Sequence, residues 1–156
     1  MKETSLQTLV VDAIRANNGF AFKLANRFLI GVPDVLAQPR NMRTSLWEVK
    51  KNPEPWAGSR VRLALTPHQY SFLDRFTDAG GICGVISFLV GRNHLFCGVF
   101  DMFQVHKGVY SNERYYTELK RGLRGEMVYE MLMKEYEKYD RHDEIAGEPW
   151  TDTREL

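Results

Sequence analysis

Apolar residues first recur at helical spacing: Leu6, Leu9, Val10, Ala13 and Ile14 form one stripe, as a helix buried on one side requires. Thr4 with Gln7 fits a capping box and Asn18-Gly19 is a stop signal, which predicts a helix over residues 4–17. The pattern then shortens. Phe20 to Leu24 and Arg27 to Ile30 read as short strands joined by a tight turn at Ala25-Asn26. Val35 to Gln38 and Leu46 to Lys50 read as two more, with Pro39 to Thr44 between them. Asn52 to Ser59 holds two prolines, a glycine and Trp56, and reads as a loop. Thr66-Pro67-His68-Gln69 combines an N-cap, a proline at the first helical position and a capping-box glutamine. Phe72, Leu73 and Phe76 continue that helix, and Gly80-Gly81 ends it.

Ile82 to Val90 is nearly all apolar, as a strand covered on both faces should be. Gly91-Arg92-Asn93 turns the chain into a further strand, His94 to Phe100. Asn112 to Tyr139 reads as one long helix or two, weakened in its middle by Gly122 and Gly125. Its stripe of Leu123, Met127, Met131, Leu132, Tyr136 and Tyr139 suits core packing, with a dimer face as the alternative. The order predicts one α/β domain with a mixed sheet flanked by helices, over residues 1–140, and a polar tail over 141–156.

The composition fits that picture. The chain has 156 residues, 44% apolar and 26% charged, enough for one domain with a real core. No apolar run is long enough to span a bilayer, and the first residues lead into an amphipathic segment rather than a signal peptide. The expectation is a soluble, intracellular protein. Cys83 and Cys97 form no CxxC pair and lie in apolar strand-like runs. Buried free thiols are expected, with a cross-strand disulfide as the alternative. Net charge is only +1, but residues 1–125 hold 17 Lys/Arg against 10 Asp/Glu, and residues 126–156 hold 4 against 10. Such a split suits a nucleic-acid-facing body with an acidic end.

Three polar residues interrupt the strands. Glu48 and Lys50 are two apart, so they share one face, while Trp47 and Val49 take the other. Asp34 opens the preceding strand, where Pro33 cannot donate a ladder hydrogen bond. If the two strands pair, Asp34 comes close to Glu48. Two neighbouring carboxylates repel unless one is protonated or a cation sits between them. Oxygen ligands of this kind suit Mg²⁺ or Mn²⁺, and a lysine beside such an ion suits phosphodiester hydrolysis.

Gly31-Val32-Pro33-Asp34 followed by Glu48-Val49-Lys50 resembles the PD-(D/E)XK nuclease superfamily. The pattern is most similar to its VRR-NUC branch, the virus-type replication-repair nucleases. Glu3 by the first helix, Gln69 near the start of the second and Ala79-Gly80-Gly81 before the buried strand fit the same branch, over residues 3–100. The resemblance implies a restriction-endonuclease-like core of order α-β-β-β-α-β, followed here by a long C-terminal helix. It implies Mg²⁺, with Mn²⁺ as a substitute, held by Asp34, Glu48, the Val49 carbonyl and Glu3. Lys50 would be the catalytic lysine and Gln69 would support the site.

Cations flank these motifs in sequence: Lys23, Arg27, Arg40, Arg43, Lys51, Arg60 and Arg62 are candidate phosphate contacts. Trp56 is a candidate for stacking on an unpaired base, or for packing. Family members of this size resemble stand-alone Holliday-junction resolvases of viruses and mobile elements, acting in recombination and repair as homodimers on branched or double-stranded DNA. The alternatives are a flap, single-strand or general nuclease, a restriction-type enzyme, or a non-catalytic DNA-binding domain.

Overall fold

The computed structural model describes residues 1–24, 29–53, 63–106 and 115–155, with 140–155 described as backbone only. Ten elements follow in order: α1 (Glu3–Ala16), β1 (Phe20–Lys23), β2 (Val35–Gln38), β3 (Ser45–Pro53), α2 (Pro67–Asp78), β4 (Ile82–Val90), β5 (Leu95–Asp101), α3 (Met102–His106), β6 (Thr117–Glu118) and α4 (Arg124–Glu155). The first six give the expected α-β-β-β-α-β order. Six strands form one mixed sheet, β1-β2-β3-β4-β5-β6, in which only β3 and β4 run parallel.

Alternation along the strands divides the core between the two faces of the sheet. Trp47 and Val49 of β3, Ile82, Ile86 and Phe88 of β4, and Val35 and Ala37 of β2 pack under α1 and α4. From the helices come Leu6, Val10, Ile14, Val128, Leu132 and Tyr136. On the other face Leu46, Leu73, Cys83 and Met102 pack together, bringing α2 and α3 onto the sheet. Glu48 and Lys50 share that second face, because they alternate with Trp47 and Val49.

Several expectations change. The first helix begins at Glu3, with Lys2 as N-cap and no side-chain cap, so Thr4 lies inside the first turn and forms no capping box. Its carbonyl instead accepts from Lys23 Nζ at 2.9 Å and from the Thr8 hydroxyl at 3.0 Å. Of the proposed strand Arg27–Ile30 and its turn, residues 25–28 lie outside the described residues, and Leu29-Ile30 form a bend. Both are more than half exposed, and β1 pairs with β2 instead.

The expected long helix over 112–139 also begins late. Residues 112–114 lie outside the described residues, and the next stretch holds β6 and a turn with Gly122 at φ +80°. That conformation suits glycine and interrupts a right-handed helix. α4 then runs on to Glu155 rather than ending near residue 140. Within its stripe, Leu132 and Tyr136 are buried in this chain's own core, so that part packs inward and offers no dimer face. Leu123 stays exposed. Both cysteines are free and buried.

One polar knot ties α4 to the β2–β3 hairpin. The Tyr136 hydroxyl shares its one proton between Ser45 Oγ at 2.6 Å and the Arg43 carbonyl at 2.9 Å. Trp47 Nε1 donates to the same Ser45 Oγ at 2.7 Å, and Ser45 donates onward to the Ala37 carbonyl at 2.8 Å. Buried polar groups left without partners cost about 1–3 kcal/mol each. Tyr136→Phe should therefore lower stability by about 1–3 kcal/mol, read as a lower urea midpoint at an unchanged m-value.

Candidate active site

The strand register brings the two carboxylates together. Val35 lies opposite Trp47 in the antiparallel β2–β3 pair, so Asp34, one residue earlier, falls opposite Glu48. Asp34 is held from both sides: its Oδ2 accepts from the Val49 backbone N–H at 2.8 Å, and its carbonyl accepts from the Leu24 N–H at 2.8 Å. Glu48 is only 3% exposed. Its Oε1 accepts from Gln69 Nε2 at 2.9 Å and lies 3.8 Å from Lys50 Nζ. Its Oε2 is buried with no hydrogen-bond partner among the described residues.

The Glu48 pKa is pushed up to about 8, first by burial, then by the negative charge of Asp34 and proton-sharing contact with it; Lys50 opposes the shift and Glu3 adds to it. Ionised carboxylates only accept hydrogen bonds. The pair is therefore satisfied by a shared proton or by a cation, and the orphaned Oε2 fits a divalent ion bound at this pair. Glu3, in the first turn of α1, is exposed but close enough for its charge to act on Glu48. Among the described residues, no group of three or more His, Cys, Asp or Glu is arranged to hold a metal. Asp34 and Glu48 meet as a pair of carboxylates, and Glu3 does not form a three-acid cluster with them.

Gln69 links the carboxylate to the lysine. Its Oε1 accepts from Lys50 Nζ at 3.0 Å and from the Thr66 N–H at 3.0 Å, while Thr66 Oγ1 accepts from the Gln69 N–H at 3.2 Å. The capping box is complete, and the same side chain that closes the helix end also holds Lys50 and Glu48. Gly31 explains how α2 gets so near. It has φ +85°, and a Cβ there would stand 2.4 Å from the His68 carbonyl oxygen. Only glycine allows that approach of the loop before Asp34 to the start of α2.

The expected phosphate contacts separate by position. Lys51 follows Lys50 on β3 and is exposed. Lys23 is engaged with the start of α1. Arg40 and Arg43 lie in the 39–44 connection, at the opposite end of the β2–β3 hairpin from Asp34. β3 begins at Ser45, so Arg43 lies before the strand, up to ~16 Å of extended chain from Glu48. Arg27, Arg60, Arg62 and Trp56 lie outside the described residues.

A row of polar residues beyond Lys50 went unread in the sequence. Ser87 pairs with Lys50 across β3–β4, and its hydroxyl receives hydrogen bonds from Tyr116 at 2.8 Å and Asn52 at 3.3 Å. Glu48, Lys50 and Asn52 all alternate onto one face, which was the available signal for Asn52; the buried Ser87 and Tyr116 gave none. Near the same face, His106 Nε2 bonds Asp74 Oδ1 at 3.0 Å and its Nδ1 meets the Tyr70 hydroxyl, joining α2 to α3.

The raised Glu48 pKa has a measurable sign. With a folded value near 8 and an ordinary value of 4.5, the folded state binds this proton more tightly. The metal-free protein should lose stability as pH rises from 4.5 towards 8. Glu48→Gln should flatten that part of the profile, and added Mg²⁺ should restore the wild type at the alkaline end but not the variant. Thermal melts in EDTA and in Mg²⁺ across this range check it.

No family model matches the sequence, and no curated protein matches it. Among solved structures, one chain described as "VRR_NUC domain" is similar at a TM-score of 0.44 and 22% identity, over 67% of this chain and 90% of that one. No helix among the described residues is long and apolar enough to cross a membrane.

Proposed function

We propose that the chain is a metal-dependent DNA endonuclease that hydrolyses phosphodiester bonds, with branched DNA such as the Holliday junction as its substrate. The observation that carries the reading is the buried Glu48 facing Asp34, with an oxygen that has no hydrogen-bond partner among the described residues and a lysine fixed alongside by Gln69. A like-charged pair of this kind is unfavourable in the resting protein unless a proton or cation joins it. Mg²⁺, or Mn²⁺ in its place, is the cation the oxygen donors suit, held by Asp34 and Glu48, with the Val49 carbonyl and Glu3 completing the expected set. Bound there, it would lower the pKa of a coordinated water and offset charge on the phosphate.

The chain's own residues would do the rest. Lys50 Nζ, held 3.0 Å from Gln69 Oε1, would orient the attacking water or neutralise charge growing on the phosphate oxygens. Gln69 keeps that ammonium from collapsing fully onto Glu48. The N-terminus of α2 contributes the positive end of its dipole to the same place, which favours an anion. Symmetric nicking of a four-way junction calls for two sites, hence a homodimer. Because Leu132 and Tyr136 of α4 are spent on the core, its interface would use another surface.

Lys50→Ala and Asp34→Ala should each lower Mg²⁺-dependent cleavage by about 10²-fold or more while DNA still binds. Full activity in either variant would sink the site assignment. Equal cleavage of plain duplex and four-way junction would remove the resolvase reading and leave a general nuclease.

A further inference from the structure

We propose that the turn joining β6 to α4, with the β4–β5 turn beside it, is a second contact surface for the phosphate backbone of duplex DNA. Lys120, Arg121 and Arg124 stand on the first turn and Arg92 on the second. The choice of DNA as the partner rests on the nuclease reading; the surface itself rests on separate observations.

The sheet register puts these cations at the end of the sheet where β3 finishes, five residues or ~16 Å along the strand beyond Glu48. β3 and β4 run parallel and finish together, Pro53 beside Val90. β5 starts at that end, with Val90 opposite Leu95, and β6 returns to it, with Phe96 opposite Glu118. The Leu119 N–H donates to the Leu95 carbonyl at 2.7 Å, so Lys120 leaves the sheet next to the Gly91–His94 turn. From β3 to β6 is three strand spacings, ~14 Å. A duplex laid across this end presents about eight phosphate charges over that distance.

The turn is built, not loose. Leu119 is buried in the core. The Leu123 N–H donates to the Lys120 carbonyl and the Met127 N–H to the Leu123 carbonyl, each at 3.0 Å, and the Lys120 N–H meets Met127 Sδ at 3.3 Å. Gly122 holds φ +80°, and open space surrounds the position a Cβ would take at both Gly122 and Gly125. The backbone is therefore uncovered between the cations, where an anion can approach closely.

The charges are also unspent. Among the described residues, no carboxylate pairs with Arg92, Lys120, Arg121 or Arg124. Glu118 faces His94 at 2.8 Å, and Glu126 is the other acid of the segment. Arg124 Nε is buried without a hydrogen-bond partner among the described residues. That nitrogen is out of reach of a phosphate, so any contact from Arg124 falls to its terminal guanidinium nitrogens. Solvated lysines and arginines on a mobile loop would need none of this anchoring.

Fluorescence anisotropy of a labelled duplex, titrated in EDTA over a range of NaCl, tests the surface without requiring cleavage. The double variant Lys120→Gln/Arg121→Gln should bind more weakly, and its slope of log K against log [salt] should be shallower by about 1.8, or ~0.9 for each phosphate that is no longer neutralised. Its thermal melt should match the wild type, and its cleavage rate at saturating DNA should be unchanged. Wild-type affinity and slope in the double variant would overturn the proposal, as would weaker binding at an unchanged slope. A shallower slope in a protein that cuts no DNA would support the surface and refute the nuclease reading. Cleavage abolished in Lys50→Ala, with normal binding by the double variant, would do the reverse.

Discussion

Placing one carboxylate in the interior beside another is the constraint on which the rest of this architecture turns. Glu48 is buried, Asp34 lies across from it, and together they push the Glu48 proton affinity far above the ordinary range. Burial of an uncompensated charge would cost several kcal/mol or more, so the fold must hold partners close to it. Three are in place: the Val49 N–H on Asp34, the Gln69 amide on Glu48, and the Lys50 ammonium near the same oxygen. One carboxylate oxygen has no hydrogen-bond partner among the described residues, and a proton shared with Asp34 or a cation is what would satisfy it.

The compensating groups come from different parts of the chain, and glycine chemistry governs how they meet. Gln69 reaches Glu48 and Lys50 only because the start of α2 lies against Gly31, with no room for a side chain between them. The loop that delivers Asp34 and the helix that delivers Gln69 are therefore packed as one unit. Capping and positioning are done by the same side chain, so the helix cannot fray at its first turn without releasing the lysine. Local helix energetics thus enter the chemistry of the site directly.

What the sequence revealed follows the range of the interaction involved. The co-facial Glu48 and Lys50 were legible because strand alternation is local, as was the capping box at Thr66 and Gln69. The meeting of Asp34 with Glu48 was legible only on condition that the two neighbouring strands pair, and the register that sets them opposite each other comes from the structure. The late start of α4 was not, since β6 is two residues long and exists only by pairing with β5. Arg40 and Arg43 looked near the motif because they are near in sequence; the hairpin turns that proximity around, carrying its loop to the far end from its open strand ends. Ser87 gave no signal in the sequence, because its partner Tyr116 lies twenty-nine residues away and only the folded sheet brings them together.

The position of the site itself follows from topology. β3 is the strand at which pairing changes sense, antiparallel to β2 and parallel to β4. A parallel pair needs a crossover connection, and here that connection is α2, which must begin where β3 ends. Its N-terminus, closed by the Thr66–Gln69 capping box and carrying the positive end of the dipole, is thereby brought beside Glu48 and Lys50 of β3. The antiparallel partner β2 must begin at that same end, which sets Asp34 there. Carboxylates from two strands, a lysine on one of them and a helix N-terminus thus converge because one strand has one neighbour of each sense. Ligand sites in open sheets recur at such reversals for this reason, and the alternation of Glu48, Lys50 and Asn52 along β3 supplies the chemistry that this geometry leaves room for.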